Sequence, residues 1–302
     1  MDWKHALENY KTFLILEKSL SPNSVEAYLN DINKLIKYCV EQYQFTRPDQ
    51  VSYDILKSYL VYVNDIGITN RTQARCISSI RSFFKFLIFD GILESNPSHL
   101  LEAPKVGRKL PNVLSVDEID SMLNAVEINK PEGQRNKAIV ELLYSCGLRV
   151  SELINLKLSN TSFRKNIIKV ESKGNKERII PLSNHAKREI KQYLKEYRDQ
   201  LDVKKKDEDI LFLNKRGAAL SRVMIFNIIK QLAVRANIER NVSPHTFRHS
   251  FASHLVSGGA DLRAVQDMLG HESILTTEIY THLDHKYLKD TIDKFHPRST
   301  IK

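Results

Sequence analysis

The sequence has few cysteines and no hydrophobic stretch long enough to cross a bilayer. Its three cysteines, Cys39, Cys76 and Cys146, are widely separated and include no CxxC pair, so neither a disulfide framework nor a zinc site is predicted. No run approaches the roughly eighteen apolar residues that a membrane helix needs, and the first residues show no basic and then apolar signal peptide. These absences predict a cytoplasmic protein with reduced thiols and no membrane association.

Motifs for nucleotide-dependent or two-metal chemistry are also missing. The sequence has no GxxxxGK phosphate-binding loop, and its carboxylates show no two-metal pattern. It has no internal repeat and no low-complexity tract. With 302 residues, 42% hydrophobic and 27% charged, the chain has an ordinary globular composition and is long enough for two domains.

The charge of the chain is strongly positive and unevenly distributed. The net charge is +10 and the pI is near 9.3, which favours a polyanionic partner. Residues 1–107 contain twelve Lys/Arg and twelve Asp/Glu, so the whole excess lies in the remainder of the chain. Charge alone does not separate an enzyme from a passive nucleic-acid-binding protein.

Residues 1–103 are predicted to be entirely helical, because apolar residues recur there at three- and four-residue spacing. One helix should cover Tyr53–Asp65 and the next Asn70–Phe89. The last of these helices should turn five apolar side chains inward: Ile77, Ile80, Phe83, Phe84 and Leu87. Its other positions carry four basic residues, which charge count alone assigns to solvent: Arg71, Arg75, Arg81 and Lys85.

A break at residues 104–111 separates this block from a second one. Prolines flank a basic, glycine-containing stretch there, which indicates an interdomain linker. In residues 112–302 we expect a helix with a capping box at Ser115 and a hairpin formed by Ile167–Val170 and Arg178–Leu182. The predicted fold class is mainly α with a small β-sheet, as an all-helical N-terminal domain followed by an α+β domain.

Side chains suited to phosphodiester chemistry are gathered in the second block. They include two imidazoles, a guanidinium and a phenol: His245, His271, Arg248 and Tyr280. Arginine stays charged and matches phosphate oxygens in pairs. An imidazole can move protons, and a phenol can form a covalent ester with phosphate.

Two further candidates lie earlier in the second block. Arg149 follows a glycine that should end one helix, which would place Arg149 at the start of the next helix, where backbone amides favour an anion. Glu152, three residues on, would lie on the same face and hold the guanidinium. Taken alone, this pair is typical of a surface ion pair, and Lys173 on a hairpin turn is typical of a solvated lysine.

Together, these residues resemble the tyrosine recombinase (phage integrase) family, whose catalytic set is Arg, Lys, His-x-x-Arg, His or Trp, and Tyr. The matching positions are Arg149, Lys173, His245, Arg248, His271 and Tyr280. The resemblance covers nearly the whole chain, and residues 258–271 and 295–298 are most similar to the Xer branch. It implies a core-binding (SAM-like) domain in residues 1–103 and a catalytic domain in residues 112–302.

The resemblance implies a role for each residue of the set. Tyr280 would attack the scissile phosphate and leave a 3′-phosphotyrosyl link and a free 5′-hydroxyl. Arg149 and Arg248 would neutralise the charge on the non-bridging oxygens. Lys173 would protonate the departing 5′-oxygen.

The two histidines complete the set that the resemblance implies. His245 would accept the phenolic proton and His271 would hydrogen-bond the phosphate, although the sequence leaves open which imidazole is the general base. No cofactor or metal is required. Arg75 and Arg81 of the N-terminal block would contact double-stranded DNA, on the opposite side of the duplex from the catalytic domain.

The end of the chain, residues 282–302, is predicted to form a helix. Its apolar stripe consists of Leu283, Tyr287, Leu288, Ile292 and Phe295. Such a stripe at a chain end usually packs on its own domain. The resemblance implies instead a helix that docks into a neighbouring protomer and couples cleavage in one subunit to the state of the next.

Several functions remain compatible with the sequence. An Xer-type enzyme would join a XerC-like partner recombinase in a tetramer on a chromosomal dimer-resolution site and pass through a Holliday junction, and a DNA translocase is a further candidate partner. A mobile-element integrase or DNA invertase would use the same chemistry elsewhere. The chain begins with core-binding helices and no arm-binding domain, which favours the Xer type, although simple invertases and integron-type integrases lack that domain too. An idle architectural DNA-binding protein would not need the catalytic set, and the Xer-like flanks disfavour a type IB topoisomerase.

Overall fold

The apolar spacing of the N-terminal region produces four α-helices within residues 1–104. The computed structural model describes residues 1–104, 112–130, 132–171, 177–270 and 285–298, in two units, Met1–Lys109 and Leu110–Lys302. The helices of the first unit are α1 (Trp3–Leu16), α2 (Pro22–Tyr43), α3 (Tyr53–Asp65) and α4 (Asn70–Phe89), and a 3-10 helix (Pro48–Gln50) precedes α3. The bounds predicted for α3 and α4 are confirmed.

Side-chain caps explain where these helices begin. The hydroxyl of Ser21 accepts a hydrogen bond from the backbone amide of Ser24, and Pro22 occupies the first helical position. Ser52 and Thr69 cap α3 and α4 in the same way. Each cap gives a partner to an amide that the helix itself leaves unpaired, so the local sequence sets the helix boundaries.

The core of the first unit is rich in aromatic side chains. All five side chains predicted to face inward from α4 are buried. The ring of Phe83 meets Tyr10 of α1 edge to face at 5.1 Å, and Phe86 meets Phe13 at 5.3 Å. Such pairs contribute about 0.5–1.5 kcal/mol beyond area burial, and they join α1 to α4.

The second unit contains helices and a small sheet. Its described elements are α5 (Val116–Asn124), α6 (Gly133–Cys146), α7 (Val150–Ile154), β1 (Thr161–Ser162), β2 (Ile167–Glu171), β3 (Glu177–Pro181), α8 (Asn184–Glu196), α9 (Arg222–Arg235), α10 (Pro244–Ser257), α11 (Leu262–Leu269) and α12 (His285–Phe295), with 3-10 helices at Arg198–Gln200 and Lys205–Asp207. The capping box predicted at Ser115 is confirmed, with Glu118 as its partner. The chain is therefore mostly helical with a small antiparallel sheet, as predicted.

The sheet has the strand order β1-β2-β3, and both pairings are antiparallel. The predicted hairpin is formed by β2 and β3, in a register that pairs Ile168 with Ile180 and Val170 with Arg178. Strand β1 was not predicted because its two residues are too short for an alternating pattern. The turn that carries Lys173 lies outside the described residues.

The main core of the second unit surrounds α6, which packs against α8 and α10. A smaller core is formed by α10, α11 and α12, and it buries Leu288 and Ile292 of α12. The backbone of Gly258 lies so close to α12 that an added Cβ would be 2.7 Å from the carbonyl oxygen of Phe295. In the isolated chain the last helix thus packs on its own unit.

The helices that the structure describes include none that is both long enough and apolar enough to span a membrane. Cys39, Cys76 and Cys146 are all buried and unbonded to one another.

Candidate active site

The turn between α6 and α7 places Arg149. Gly147 ends α6 with a φ of +58°, and an added Cβ would lie 2.6 Å from the ring of Phe251, so a larger residue is excluded there. Arg149 directly precedes α7, and its backbone amide donates to Oε2 of Glu152 at 2.8 Å. Its Nη1 donates to Oε1 of the same carboxylate at 2.8 Å, which is the contact that the spacing predicts.

Helix α10 carries the second arginine. Pro244 begins this helix, and His245 and Arg248 follow one turn apart on one face. The Arg248 guanidinium is buried and donates to the carbonyl oxygen of Gly147 at 2.7 Å and to that of Leu269. Burial, reinforced by the charge of Arg149, lowers the pKa of Arg248 to about 10, so it stays charged at neutral pH.

The C-terminal end of α11 brings three arginines together. Three consecutive backbone carbonyl oxygens there each accept a hydrogen bond from a different arginine. The carbonyl of Met268 accepts from Nε of Arg178 at 2.8 Å, that of Leu269 from Nη2 of Arg248, and that of Gly270 from Nη2 of Arg149 at 3.0 Å. The last carbonyls of a helix have no partner inside it and carry partial negative charge. Arginines from α10, β3 and the start of α7 are therefore drawn to one point in the fold.

Glu152 balances part of this positive charge. Its side chain is buried, with the residue 5% exposed. It accepts a hydrogen bond from Arg149 and two from the terminal nitrogens of Arg178, the latter at 2.6 and 2.8 Å. Burial acts to raise the pKa of Glu152, but the hydrogen bonds and charge of Arg178 and Arg149 outweigh it and hold the pKa below its ordinary value. One carboxylate therefore pairs with two guanidiniums while that of Arg248 lies nearby, so this group of described residues keeps a positive surplus suited to an anion.

His245 lies at the exposed edge of this group. Partial burial lowers the pKa of His245, and the nearby positive charges of His249, Arg248 and Arg149 lower it further. A lowered pKa favours the neutral imidazole, which is the form that can accept a proton.

The structure brings together three of the six predicted catalytic residues: Arg149, His245 and Arg248. The other three, Lys173, His271 and Tyr280, lie outside the described residues. Arg178 was not predicted to be a site residue, because its sequence context indicates only a strand. The one available signal for a special role was a charged side chain that precedes the apolar pair Ile179 and Ile180 in a short strand.

The two arginines predicted to bind DNA both make contacts within the first unit. Arg75 donates to Oδ2 of the buried Asp31 at 2.5 Å and to the carbonyl oxygen of Ala27 at 3.2 Å. Arg81 donates to the carbonyl oxygen of Leu101. Because the Arg75 side chain is still 40% exposed, its ion pair does not remove it from solvent.

Within the described ranges no group of three His, Cys, Asp or Glu side chains is arranged to hold a metal ion.

Sequence profiles of known families match both parts of the chain. The phage integrase family matches residues 112–286, and the N-terminal SAM-like domain of phage integrases matches residues 7–91. The first match alone covers more than half of the sequence. The chain belongs to the phage integrase family, as predicted from its sequence.

Full-length relatives narrow this class. The chain is 42% identical over 296 residues to tyrosine recombinase XerD of Oceanobacillus iheyensis, which spans 98% of this chain and 99% of the relative. It is also 42% identical over 293 residues to tyrosine recombinase XerD of Staphylococcus aureus, with 97% and 99% covered. Within the family it is thus a Xer-type tyrosine recombinase, an enzyme that breaks and rejoins DNA strands.

A solved structure supports the fold. The XerH site-specific recombinase bound to its difH substrate, in a pre-cleavage complex, aligns with a TM-score of 0.66 and 25% identity. The alignment covers 88% of this chain and 78% of that one.

Proposed function

We propose that this enzyme resolves chromosome dimers by cutting and rejoining a DNA recombination site through the residues named above. The observation that carries the proposal is that Arg149 and Arg248 donate hydrogen bonds to two adjacent backbone carbonyls, those of Gly270 and Leu269. These two residues directly precede His271 in the sequence. These arginines come from separate parts of the sequence. Their convergence gathers positive charge beside the end of α11, which supports a role in binding a phosphate.

The arginines would stabilise the phosphate in the transition state. Charge builds on the two non-bridging oxygens during attack, and fixed guanidinium donors stabilise it without needing to reorganise. Arg149 is one-third exposed at 33% and can reach a bound phosphate, whereas Arg248 is buried and held by two carbonyl oxygens. These two arginines would therefore already be held in place before DNA arrives.

Tyr280 would supply the nucleophile. Its hydroxyl proton leaves, its oxygen bonds to phosphorus, and the bond between phosphorus and the 5′-oxygen breaks. Lys173 would give the departing 5′-oxygen its proton, and His271 would hydrogen-bond a non-bridging oxygen. The neutral His245 would accept the phenolic proton, in keeping with its lowered pKa.

The two parts of the chain would divide the work on the duplex. Residues 1–103 would form the core-binding domain, residues 104–111 the linker, and residues 112–302 the catalytic domain. Arg75 and Arg81 would contact the DNA backbone from α4, whose exposed positions also include Arg71 and Lys85. Positive side chains on one helix face supply sequence-independent affinity by displacing counterions from phosphates.

Assembly would follow the Xer pattern. The enzyme would act in the cytoplasm with a XerC-like partner recombinase, two of each on paired sites, and exchange strands through a Holliday junction under the control of a DNA translocase. In that tetramer α12 would leave its own unit and dock on a neighbouring protomer. The XerH structure with difH supports the DNA part of this proposal, since that relative holds its substrate DNA.

The test is covalent trapping on a nicked duplex that carries the dimer-resolution site of the chromosome encoding the chain. We expect the wild type to form a covalent adduct and Tyr280→Phe to form none, with DNA affinity nearly unchanged because only one oxygen is removed. Tyr53→Phe, at an exposed position of α3, is the matched control and should trap normally. An adduct with Tyr280→Phe would exclude Tyr280 as the nucleophile.

A further inference from the structure

Arg178 lies at the centre of the arginine group, although none of the catalytic roles above uses it. It is on β3, the strand that follows the Lys173 turn. Its two terminal nitrogens donate to the two oxygens of Glu152, and its Nε donates to the carbonyl oxygen of Met268 at 2.8 Å. One guanidinium thus joins β3, α7 and the end of α11.

The hydrogen bonds of Arg178, rather than its burial, indicate a supporting role. Its side chain is 11% exposed, which alone does not distinguish it from the buried Arg248 of the catalytic set. Both terminal nitrogens and Nε already donate within the protein. A paired, planar contact of this kind with a carboxylate is strong and strongly oriented, which suits a residue that fixes the position of others.

The contacts of Arg178 lead to two catalytic positions. Glu152 is shared, so the orientation that Arg178 gives to this carboxylate is passed to Arg149 on its other side. The carbonyl of Met268 lies in the last turn of α11, just ahead of Gly270, whose carbonyl accepts from Arg149. The chain then continues directly into His271.

The backbone around Gly270 is fitted to the Arg178 side chain. Gly270 has a φ of +63°, and a Cβ added there would lie 3.2 Å from Cδ and 3.3 Å from Nη1 of Arg178. A side chain at this position would be strained and would also press on the guanidinium. The glycine between Leu269 and His271 thus allows α11 to end against Arg178.

We propose that Arg178 is a positioning residue for DNA cleavage, which orients Arg149 through Glu152 and holds the end of α11 that leads to His271. The inference rests on the proposed function and adds to it a residue that acts on the rate of the chemical step without touching DNA. A displacement of a reacting group by about 1 Å can cost roughly 100-fold in rate, so loss of this contact should lower activity by up to about that factor.

The experiment compares Arg178→Gln and Arg178→Lys with a matched control, Arg198→Gln. Arg198 is a buried arginine of the same unit that donates to the backbone carbonyls of Glu208 and Ile210, away from the site. Each full-length variant is measured for affinity towards the nicked duplex, for the single-turnover rate of adduct formation at saturating enzyme, and for thermal unfolding.

We expect Arg178→Gln to lower the saturated rate by up to about 100-fold while affinity changes little. Arg178→Lys should recover part of the rate, because an ammonium keeps the charge but not the paired contact. Arg198→Gln should leave the rate unchanged. Equal rates for the two glutamine variants, or a loss confined to affinity, would overturn the positioning role.

A double-mutant cycle separates positioning from a merely structural role. If Arg178 acts through Glu152, the rate losses of Arg178→Gln and Glu152→Gln will not add in the double variant, and additive losses would contradict the inference.

A second measurement does not depend on activity. In nitrogen-15 spectra of the arginine side chains, Arg178→Gln should broaden the Nε–H signal of Arg149, and Arg198→Gln should not. If the wild type forms no adduct, the proposed function is overturned, but these spectra still test whether Arg178 positions Arg149. An Arg149 signal that is unchanged in Arg178→Gln would contradict the positioning role.

Discussion

The two units each bury a carboxylate against arginine, but they do so in different ways. Asp31 in the first unit receives one arginine, Arg75, and the hydroxyl of Ser79, which joins α2 to α4. Glu152 in the second unit receives two arginines, with Arg248 close by on the same helix end. The pair of Asp31 and Arg75 has no net charge, whereas the group of described residues around Glu152 contains more positive than negative side chains.

This difference separates stability from function. A buried ion pair that is balanced serves to fix two helices relative to each other, and its net stabilisation is small once desolvation is counted. In a group with surplus positive charge the guanidiniums repel one another in the absence of an anion. A bound phosphate relieves this repulsion, which favours phosphate binding. We therefore expect substitutions in the second unit to act on the rate of cleavage. Substitutions of Asp31 or Arg75 should act on folding stability, and that of Arg75 should also act on binding.

The largest effect that would sharpen this comparison is expected at Lys173. Lys173→Ala should slow cleavage of an ordinary phosphodiester by roughly 10²- to 10⁴-fold, the contribution of a general acid. Cleavage of a duplex with a 5′-bridging phosphorothiolate should be slowed far less, because a thiolate leaves without a proton. Single-turnover adduct formation on both substrates measures this; equal losses would make Lys173 a phosphate contact instead.

The next effect contrasts one arginine from each unit. Arg248→Gln should lower the saturated cleavage rate by about 10²- to 10³-fold, as removal of one transition-state donor does. Arg75→Gln should weaken binding and leave the saturated rate unchanged. Adduct formation measured as a function of enzyme concentration separates the two, and a reduced saturated rate for Arg75→Gln would break the division between the units.

The same comparison shows what the sequence could predict. In the first unit an apolar stripe and hydroxyl caps are local signals, so the bounds of α3 and α4 and the inward side chains of α4 followed directly. The burial of the charged residue Asp31 in α2 was not predicted. Its reason is a contact with Arg75 and Ser79, far away in sequence, which no local spacing reveals.

In the second unit the catalytic arginines could be named by resemblance, but their arrangement could not. The i, i+3 spacing predicted the contact between Arg149 and Glu152 because both lie at one helix start. The donation of three arginines to the end of α11 depends on how α10, β3 and α11 pack. Arg178 remained unnoticed because its role exists only in that packing.

A third effect concerns a buried carboxylate that is less well paired than Asp31. Glu141 of α6 is 3% exposed, and its Oε2 lies 3.4 Å from Nε of Arg298. Among the described residues its Oε1 has no hydrogen-bond partner. Burial raises the pKa of Glu141 to about 7, although the charge of Arg298 opposes the rise.

The raised pKa of Glu141 predicts a loss of stability with rising pH. Between its ordinary pKa of 4.5 and about 7, the folded chain keeps a proton that the unfolded chain releases, so the free energy of unfolding falls across this window. Glu141→Gln lacks this titration. Its stability relative to wild type should therefore rise by up to roughly 3 kcal/mol from pH 4.5 to 8.

Denaturant unfolding of both proteins at intervals from pH 4.5 to 8 measures the difference. Glu8→Gln, at an exposed position of α1, is the control and should track the wild type. A difference between wild type and Glu141→Gln that stays constant with pH would show that Glu141 titrates normally.

The smallest effect tests whether the balanced first unit binds DNA through its surface. Arg71 and Lys85 are exposed on α4 and, unlike Arg75, can be replaced without uncovering a buried carboxylate. If each contacts a phosphate, the double variant Arg71→Gln/Lys85→Gln should reduce the slope of log affinity against log salt by about two, since each contact adds close to 0.9. Titrations of the same duplex at several salt concentrations measure the slope, and Lys4→Gln/Lys57→Gln, at exposed positions of α1 and α3, serves as the charge-matched control. An identical slope for both double variants would mean that α4 presents its charges to solvent and that DNA affinity comes from the second unit.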